Sequence, residues 1–262
     1  MKVFLLVLVS TVCVWAAPLQ AQQYPQSNDG RMDERAAVRE LFALGNEARA
    51  QAGVPALSWD PALAAAALRH CQMMAAEGPI SHQYRGEPEL TLRAAQAGAH
   101  FSVIEENVAF ASSAAAVHQA WMQSPEHRKN LLSPEVDHVG IAVVYARGGL
   151  YTVADYSARV ENLNRSQVEA RVAGLLRARG VAILSDPALA RSACVHDSGW
   201  PRSSGARPAW IMRWQSSDLS QLPQALAEQL GTGRLKQAAV GSCPAHDDSG
   251  AFTSYRVAVL LY

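Results

Sequence analysis

Trp121-Met122-Gln123-Ser124-Pro125-Glu126-His127-Arg128-Lys129-Asn130-Leu131 is the stretch on which the fold turns. Upstream of it, Ala114 to Met122 has helical spacing, with Val117 and Trp121 on one face, so Trp121 is assigned to the core. Pro125 cannot continue that helix, and Ser124 is suited to cap a further turn holding Glu126, His127 and Arg128. A histidine placed there, outside any apolar stripe, is a candidate for chemistry. Two similar placements precede it. Ser81-His82 falls in a loop after Gly78-Pro79, and Glu105-Glu106-Asn107-Val108 follows a short helix around Leu90 to Ala97. His82, Glu106 and His127 thus form the candidate site, each expected just outside a helix or strand.

Further out, Val38, Leu41, Phe42 and Ala48 recur at helical spacing behind Asp33, until Gly53-Val54-Pro55 stops the helix. Asp60-Pro61 opens a second helix: the carboxylate can accept from the free N–H groups of the first turn, where proline needs no donor. It runs through Leu63, Ala67, Leu68 and Met74. Gly140 to Tyr145 and Leu150 to Tyr156 are β-branched and aromatic runs around Arg147-Gly148-Gly149, the pattern of an antiparallel hairpin. After a polar link from Glu161 to Ser166 the pattern starts again. Gly180-Val181 leads to Asp186-Pro187-Ala188-Leu189-Ala190, as Gly53-Val54 leads to Asp60-Pro61-Ala62-Leu63-Ala64. Val240-Gly241 and Tyr255-Arg256-Val257-Ala258 then echo Val139-Gly140 and Tyr151-Thr152-Val153-Ala154 in the same order. Two readings are open: a shortened second copy of the first unit, or helix-start and strand residues that recur because they are common.

The chain has 262 residues, 49% of them hydrophobic, enough for a substantial core in one or two domains. Lys plus Arg and Asp plus Glu are equal at 23 each. No electrostatic footprint for a phosphate backbone or an anionic lipid surface exists, so nucleic acid is excluded as the expected partner. Lys2, an apolar run from Val3 to Ala17 and a small residue at Ala21 have the form of a cleaved export signal over residues 1–21. The run is short for a membrane span, so no transmembrane segment is expected in the mature chain. A polar lead-in covers residues 22–32. Export, to the periplasm or beyond the cell, means an oxidising compartment. Cleavage leaves Cys71, Cys194 and Cys243, an odd number. Cys194 and Cys243 share the C-terminal region and are paired, and Cys71 is read as a small core residue on its helix.

The motif strings carry a resemblance. Arg49-Ala50-Gln51-Ala52-Gly53-Val54-Pro55-Ala56-Leu57, Ser81-His82, Glu106-Asn107-Val108-Ala109, Trp121 to Leu131 and Val139-Gly140-Ile141 resemble, in order, the motifs of bacterial CAP domains (cysteine-rich secretory, antigen 5 and pathogenesis-related proteins). The resemblance implies an α+β fold, an α-β-α sandwich, over residues 33–160. Residues 161–262 are then a smaller α+β region, or a degenerate second CAP-like unit. It also implies a central cleft in which His82, Glu106 and His127 take the places of the family's first His, its Glu-Asn glutamate and its Ser-Pro-x-His histidine. Ser124 stands near the place of a second cleft glutamate found in many relatives, with Glu126 close by. His138 stands where other relatives carry a His. Glu105 replaces the usual Gly and adds negative charge that can raise a neighbouring carboxylate's pKa.

Two imidazoles and a carboxylate suit either a polar binding cleft or a zinc site with His82 and His127 as ligands and Glu106 as base. No cofactor is required for the first. It makes the protein a secreted or periplasmic module that engages a lipid, a cell-envelope component or a host protein. The alternatives are a metal-assisted hydrolase or peptidase and an envelope scaffold with a vestigial site. Glu106 and Asn107 also have a purely structural reading, in which they hold a loop and shape a turn. In the C-terminal region, Trp200, Trp210 and Trp214 with Arg202, Arg207 and Arg213 suit carbohydrate or protein contact, or core packing for at least two of the tryptophans.

Overall fold

The computed structural model describes residues 33–199, 207–246 and 251–262. The signal and lead-in expected over residues 1–32, together with Trp200 and Arg202, lie outside the described residues.

Local signals set the helix starts. Helix α1 (Glu34–Gln51) begins where the Asp33 carboxylate accepts from the Arg35 N–H at 3.0 Å. After the short strand β1 (Ser58–Trp59), Asp60 caps α2 (Pro61–Glu77) by accepting from Ala62 and Leu63. A long loop leads to α3 (Leu90–Gln96) and then to β2 (Phe101–Ala111). Helix α4 (Ala114–Gln123) is followed at once by α5 (Pro125–Leu131). Ser124 stands at the N-cap of α5, as its sequence implies, but its hydroxyl makes no capping bond. Strands β3 (His138–Ala146) and β4 (Gly149–Arg159) form the expected hairpin. Its turn, Arg147-Gly148, has φ of 53° and 82°, the two positive values that a tight turn matched to strand twist requires.

The sheet order is β1-β3-β4-β2, with β1 parallel to β3 and the other pairs antiparallel. Leu41 of α1, Val117 and Trp121 of α4 and Leu131 of α5 pack on one face, against Val139, Ile141, Val143 and Ala154. Ala67, Cys71 and Met74 of α2 cover the other, against Val108, Ala142 and Val153. The first half is therefore an α-β-α sandwich. Cys71 is buried and its thiol donates to the Tyr151 carbonyl; burial pushes its pKa up to about 12, which makes it an inert core group.

The second half repeats this order: α6 (Arg165–Arg177), β5 (Ala182–Ile183), α7 (Ala188–Val195), β6 (Trp210–Ser216), α8 (Gln224–Gly231), β7 (Gln237–Cys243) and β8 (Tyr255–Leu261). Its sheet runs β5-β7-β8-β6 with the same parallel and antiparallel senses as the first. Among the described residues no helix corresponds to α3 or α5. Two faces are again covered, by α6 and α8 on one side and α7 on the other. The Cys194–Cys243 disulfide joins α7 to β7 across 49 residues, a loop whose closure contributes about 4 kcal/mol on the chain-entropy model.

Two of the three sequence echoes coincide in space. The two Asp-Pro strings start α2 and α7, and Gly140 and Gly241 lie where those helices press on β3 and β7. The third is out of phase. Tyr151 packs on the α2 face of its sheet, whereas Tyr255 packs on the α6 face, opposite to α7. Strand composition alone produced that match.

Candidate functional site

Gly140, Asp155 and Glu106 lie side by side across β3, β4 and β2, so their side-chain positions share the α2 face of the sheet. Glu106 is inside a strand, not in a loop as expected. Its carboxylate is 3% exposed and both oxygens are engaged. Oε1 accepts from His82 Nδ1 at 2.8 Å, and Oε2 accepts from Arg93 Nη2 at 2.5 Å. Arg93, on α3 and almost wholly buried, also donates to the carbonyls of His82 and Pro88. It therefore fixes the loop that carries His82 as well as the carboxylate that orients the ring.

His70, on the buried face of α2, extends the network. Its Nδ1 is hydrogen-bonded to the Glu87 carboxyl group at 2.7 Å and its Nε2 to the Ser81 carbonyl at 2.8 Å, so both ring nitrogens are engaged. The residue before His82 is thus tied to α2. Glu87 accepts in turn from the Tyr84 N–H, closing the loop on itself.

Asp155 has no exposed surface, and neither carboxylate oxygen has a conventional partner. Burial first, and then the charge of Glu106, hold its pKa well above the usual carboxylate range, although Arg93 pulls the other way. The physical state consistent with this is a protonated Asp155 donating to Glu106. In the unfolded chain Asp155 ionises at ordinary pH, so its raised folded pKa favours folding only below the unfolded value and opposes it increasingly as pH rises. Asp155→Asn, which keeps a donor and removes the titration, is expected to raise stability at pH 7 by about 1–3 kcal/mol. The gain should vanish below roughly pH 4. Denaturant titrations at both pH values check this; a variant destabilised at pH 7 would show that Asp155 is not held as the neutral acid.

His127 lies on α5, the further turn expected after Ser124. Asn107 donates to its carbonyl at 2.8 Å, and Asn130 donates to the Glu106 carbonyl and to Asn107 Oδ1, so α5 is fastened to β2. The His82 and His127 rings stand 6.5 Å apart, and the His82 side chain is 60% exposed. The bond to Glu106 raises the His82 pKa, while desolvation and the neighbouring His82 lower that of His127. The site therefore presents unlike imidazoles: one inclined to carry charge, one inclined to stay neutral.

The other expected members make no bond to these three. Among the described residues no hydrogen bond or ion pair joins Ser124 or Glu126 to His82, Glu106 or His127. His138 pairs with Asp137 at 2.8 Å at the start of β3. Glu105, as the strand neighbour of Glu106, points to the opposite face, where burial and Glu135 raise its own pKa. The carboxyl raised within the site is Asp155, by burial first and by the charge of Glu106 second. Trp121 is core, with its Nε1 donating to the Val108 carbonyl.

Four members were missed: His70, Glu87, Arg93 and Asp155. Asp155 left a signal, as the one charged residue in the apolar run from Leu150 to Ser157.

The model of the family described as CAP, the cysteine-rich secretory protein family, matches residues 42–156. Those residues are a CAP domain. An uncharacterized membrane protein, YlbC, of Bacillus subtilis is 30% identical over 107 residues, which are 40% of this chain and 31% of that protein. The chain thus spans about a third of that relative's length. An extracellular SCP-domain protein of Bacillus anthracis superposes with a TM-score of 0.45 and 27% identity, over 48% of this chain and 41% of its own. An outer surface protein of Borrelia burgdorferi gives 0.46 and 20%, over 49% and 96%.

The donor set of this CAP domain does not make a three-ligand zinc site. His82 and His127 supply two imidazoles, but the carboxylate that would join them has both oxygens committed. Among the described residues no three His, Cys, Asp or Glu side chains converge to hold an ion. Glu106 has the geometry of a group that orients a histidine. No helix among the described residues is long and apolar enough to cross a membrane.

Proposed function

We propose that the CAP domain is a binding module, exported to the periplasm or beyond, whose cleft holds an anionic oxygen of a lipid or cell-envelope ligand. The observation that carries this reading is the fixed His82–Glu106–Arg93 chain, which turns the free edge of an exposed imidazole outward beside His127. A ring tied at Nδ1 to a buried carboxylate donates from Nε2 when charged, and the neutral His127 offers a second hydrogen-bonding nitrogen. Export rests on the signal-like residues 1–21.

Mature protein is compared with a His82→Ala/His127→Ala variant for sedimentation with phosphatidylglycerol vesicles and with isolated cell envelopes. Two lost hydrogen bonds, one of them charged, are expected to weaken binding at least about tenfold. Unchanged binding would end the cleft reading. A zinc titration is run alongside. Submicromolar zinc binding that the double variant loses, with a hydrolytic turnover abolished by Glu106→Gln, would replace the binding module by a metal hydrolase.

A further inference from the structure

The sheet registers align the two halves residue by residue. Gly140, Asp155 and Glu106 stand in one row of the first sheet, and Gly241, Ala258 and Arg213 in the same row of the second. The second half has therefore exchanged the site's carboxylates: Arg213 takes the place of Glu106 and donates to the carbonyls of Ala193 and Gly199. One residue on, Trp214 takes the place of Asn107. In the first half that position is covered by α5, to which Asn107 is bonded. In the second, α8 passes through residues 232–236 directly into β7 without such a helix. Trp214 packs against the Val172–Leu176 core and also borders a groove of about 570 Å³.

We propose that this groove is a binding site for a neutral glycan. Its rim includes Arg179, Asp218, Gln221 and Gln224 around Trp214. A tryptophan presents a large flat apolar surface, against which the C–H face of a pyranose ring can lie. The side-chain amides supply donors and acceptors together, as vicinal hydroxyls require. Asp218 is pre-oriented, with its oxygens accepting from Ser220 N–H at 2.7 Å and Ser220 Oγ at 3.0 Å. Glu228, which accepts from Gln224 at 2.8 Å, adds a second carboxylate beside Asp218 and the Arg179 guanidinium, so the rim has no cationic surplus to select an anion. Polar side chains share the groove wall with Trp214, Leu222, Pro223 and Ala227, a mixture suited to a ligand that is itself part hydroxyl and part C–H surface. None of these residues belongs to the His82–Glu106–His127 cleft, so the proposal stands independently of the function assigned there.

The test is calorimetric titration of the full mature chain with cellotetraose, maltotetraose and chitotetraose. At least one is expected to bind with Kd below about 1 mM. Gln221→Ala/Gln224→Ala, both exposed, should weaken that binding at least about tenfold without changing thermal unfolding. Trp214→Ala should abolish it, and His82→Ala/His127→Ala should leave it unchanged. No binding of any of the three, binding that survives the glutamine pair, or binding confined to a sulfated oligosaccharide would each overturn the proposal.

Discussion

Gly140→Ala is expected to cost at least about 3 kcal/mol of stability, a large effect for the addition of one methyl group. A Cβ at this position would lie 2.0 Å from the Ala64 nitrogen and 2.3 Å from the Leu63 carbonyl carbon. Both are backbone atoms in the first turn of α2, so no rotamer change relieves the clash. The helix must lift from the sheet, which loosens its packing against the β3–β4 hairpin and disturbs His70. Gly241→Ala should behave alike, because its Cβ would lie 2.2 Å from the Arg191 nitrogen at the start of α7. Gly174→Ala is the control: it sits in α6 with open space around it and should gain roughly 0.5–1 kcal/mol from helix propensity. Urea titrations of the three variants decide the matter, and a Gly140→Ala loss below about 1 kcal/mol would mean that α2 rides higher on the sheet.

Arg93→Met is expected to cost about 3–5 kcal/mol, because it strands the buried Glu106 carboxylate without its closest cation. No other cation replaces it at that oxygen: His70 Nε2 is 3.9 Å from Glu106 Oε2 and already bonded to Ser81. The methionine fills much of the volume, so the loss reports charge rather than a cavity. Adding Glu106→Gln should recover a substantial part, since a neutral amide tolerates burial beside methionine better than a carboxylate does. The His82 loop should loosen as well, because its carbonyl loses the Arg93 donor. Failure of the double variant to recover any stability would locate the defect in packing.

These two cases show what could be read from the chain alone. Helix starts at Asp33 and Asp60 and the Arg147-Gly148 turn were legible because each is decided within a few residues. His82 and His127 were legible through the resemblance their motifs carry. The supporting network was not. Arg93, Glu87 and His70 acquire their roles from partners brought together only by the packing of α2, α3 and β2. Glu106 was misplaced in a loop because two carboxylates and an asparagine disguise a strand whose polar side is buried against charge instead of facing water. The second half was legible at the Asp-Pro and Val-Gly strings, which mark tight helix–sheet contact, and misleading at Tyr255, where composition imitates homology.

Each sheet has one edge that offers almost nothing to lateral addition of another chain. Their parallel edge strands, Ser58–Trp59 and Ala182–Ile183, are two residues each, too short to template a foreign strand. The opposite edge of the first sheet is long, but at its beginning Thr253 of the second half donates to the Phe101 carbonyl, and Phe252 sets its ring edge-on to Phe101 at 5.5 Å. That segment occupies a main-chain acceptor that an aggregating neighbour would otherwise use. The second half thus covers the start of the first sheet's long edge, a contact that requires no ligand and no cleft of its own.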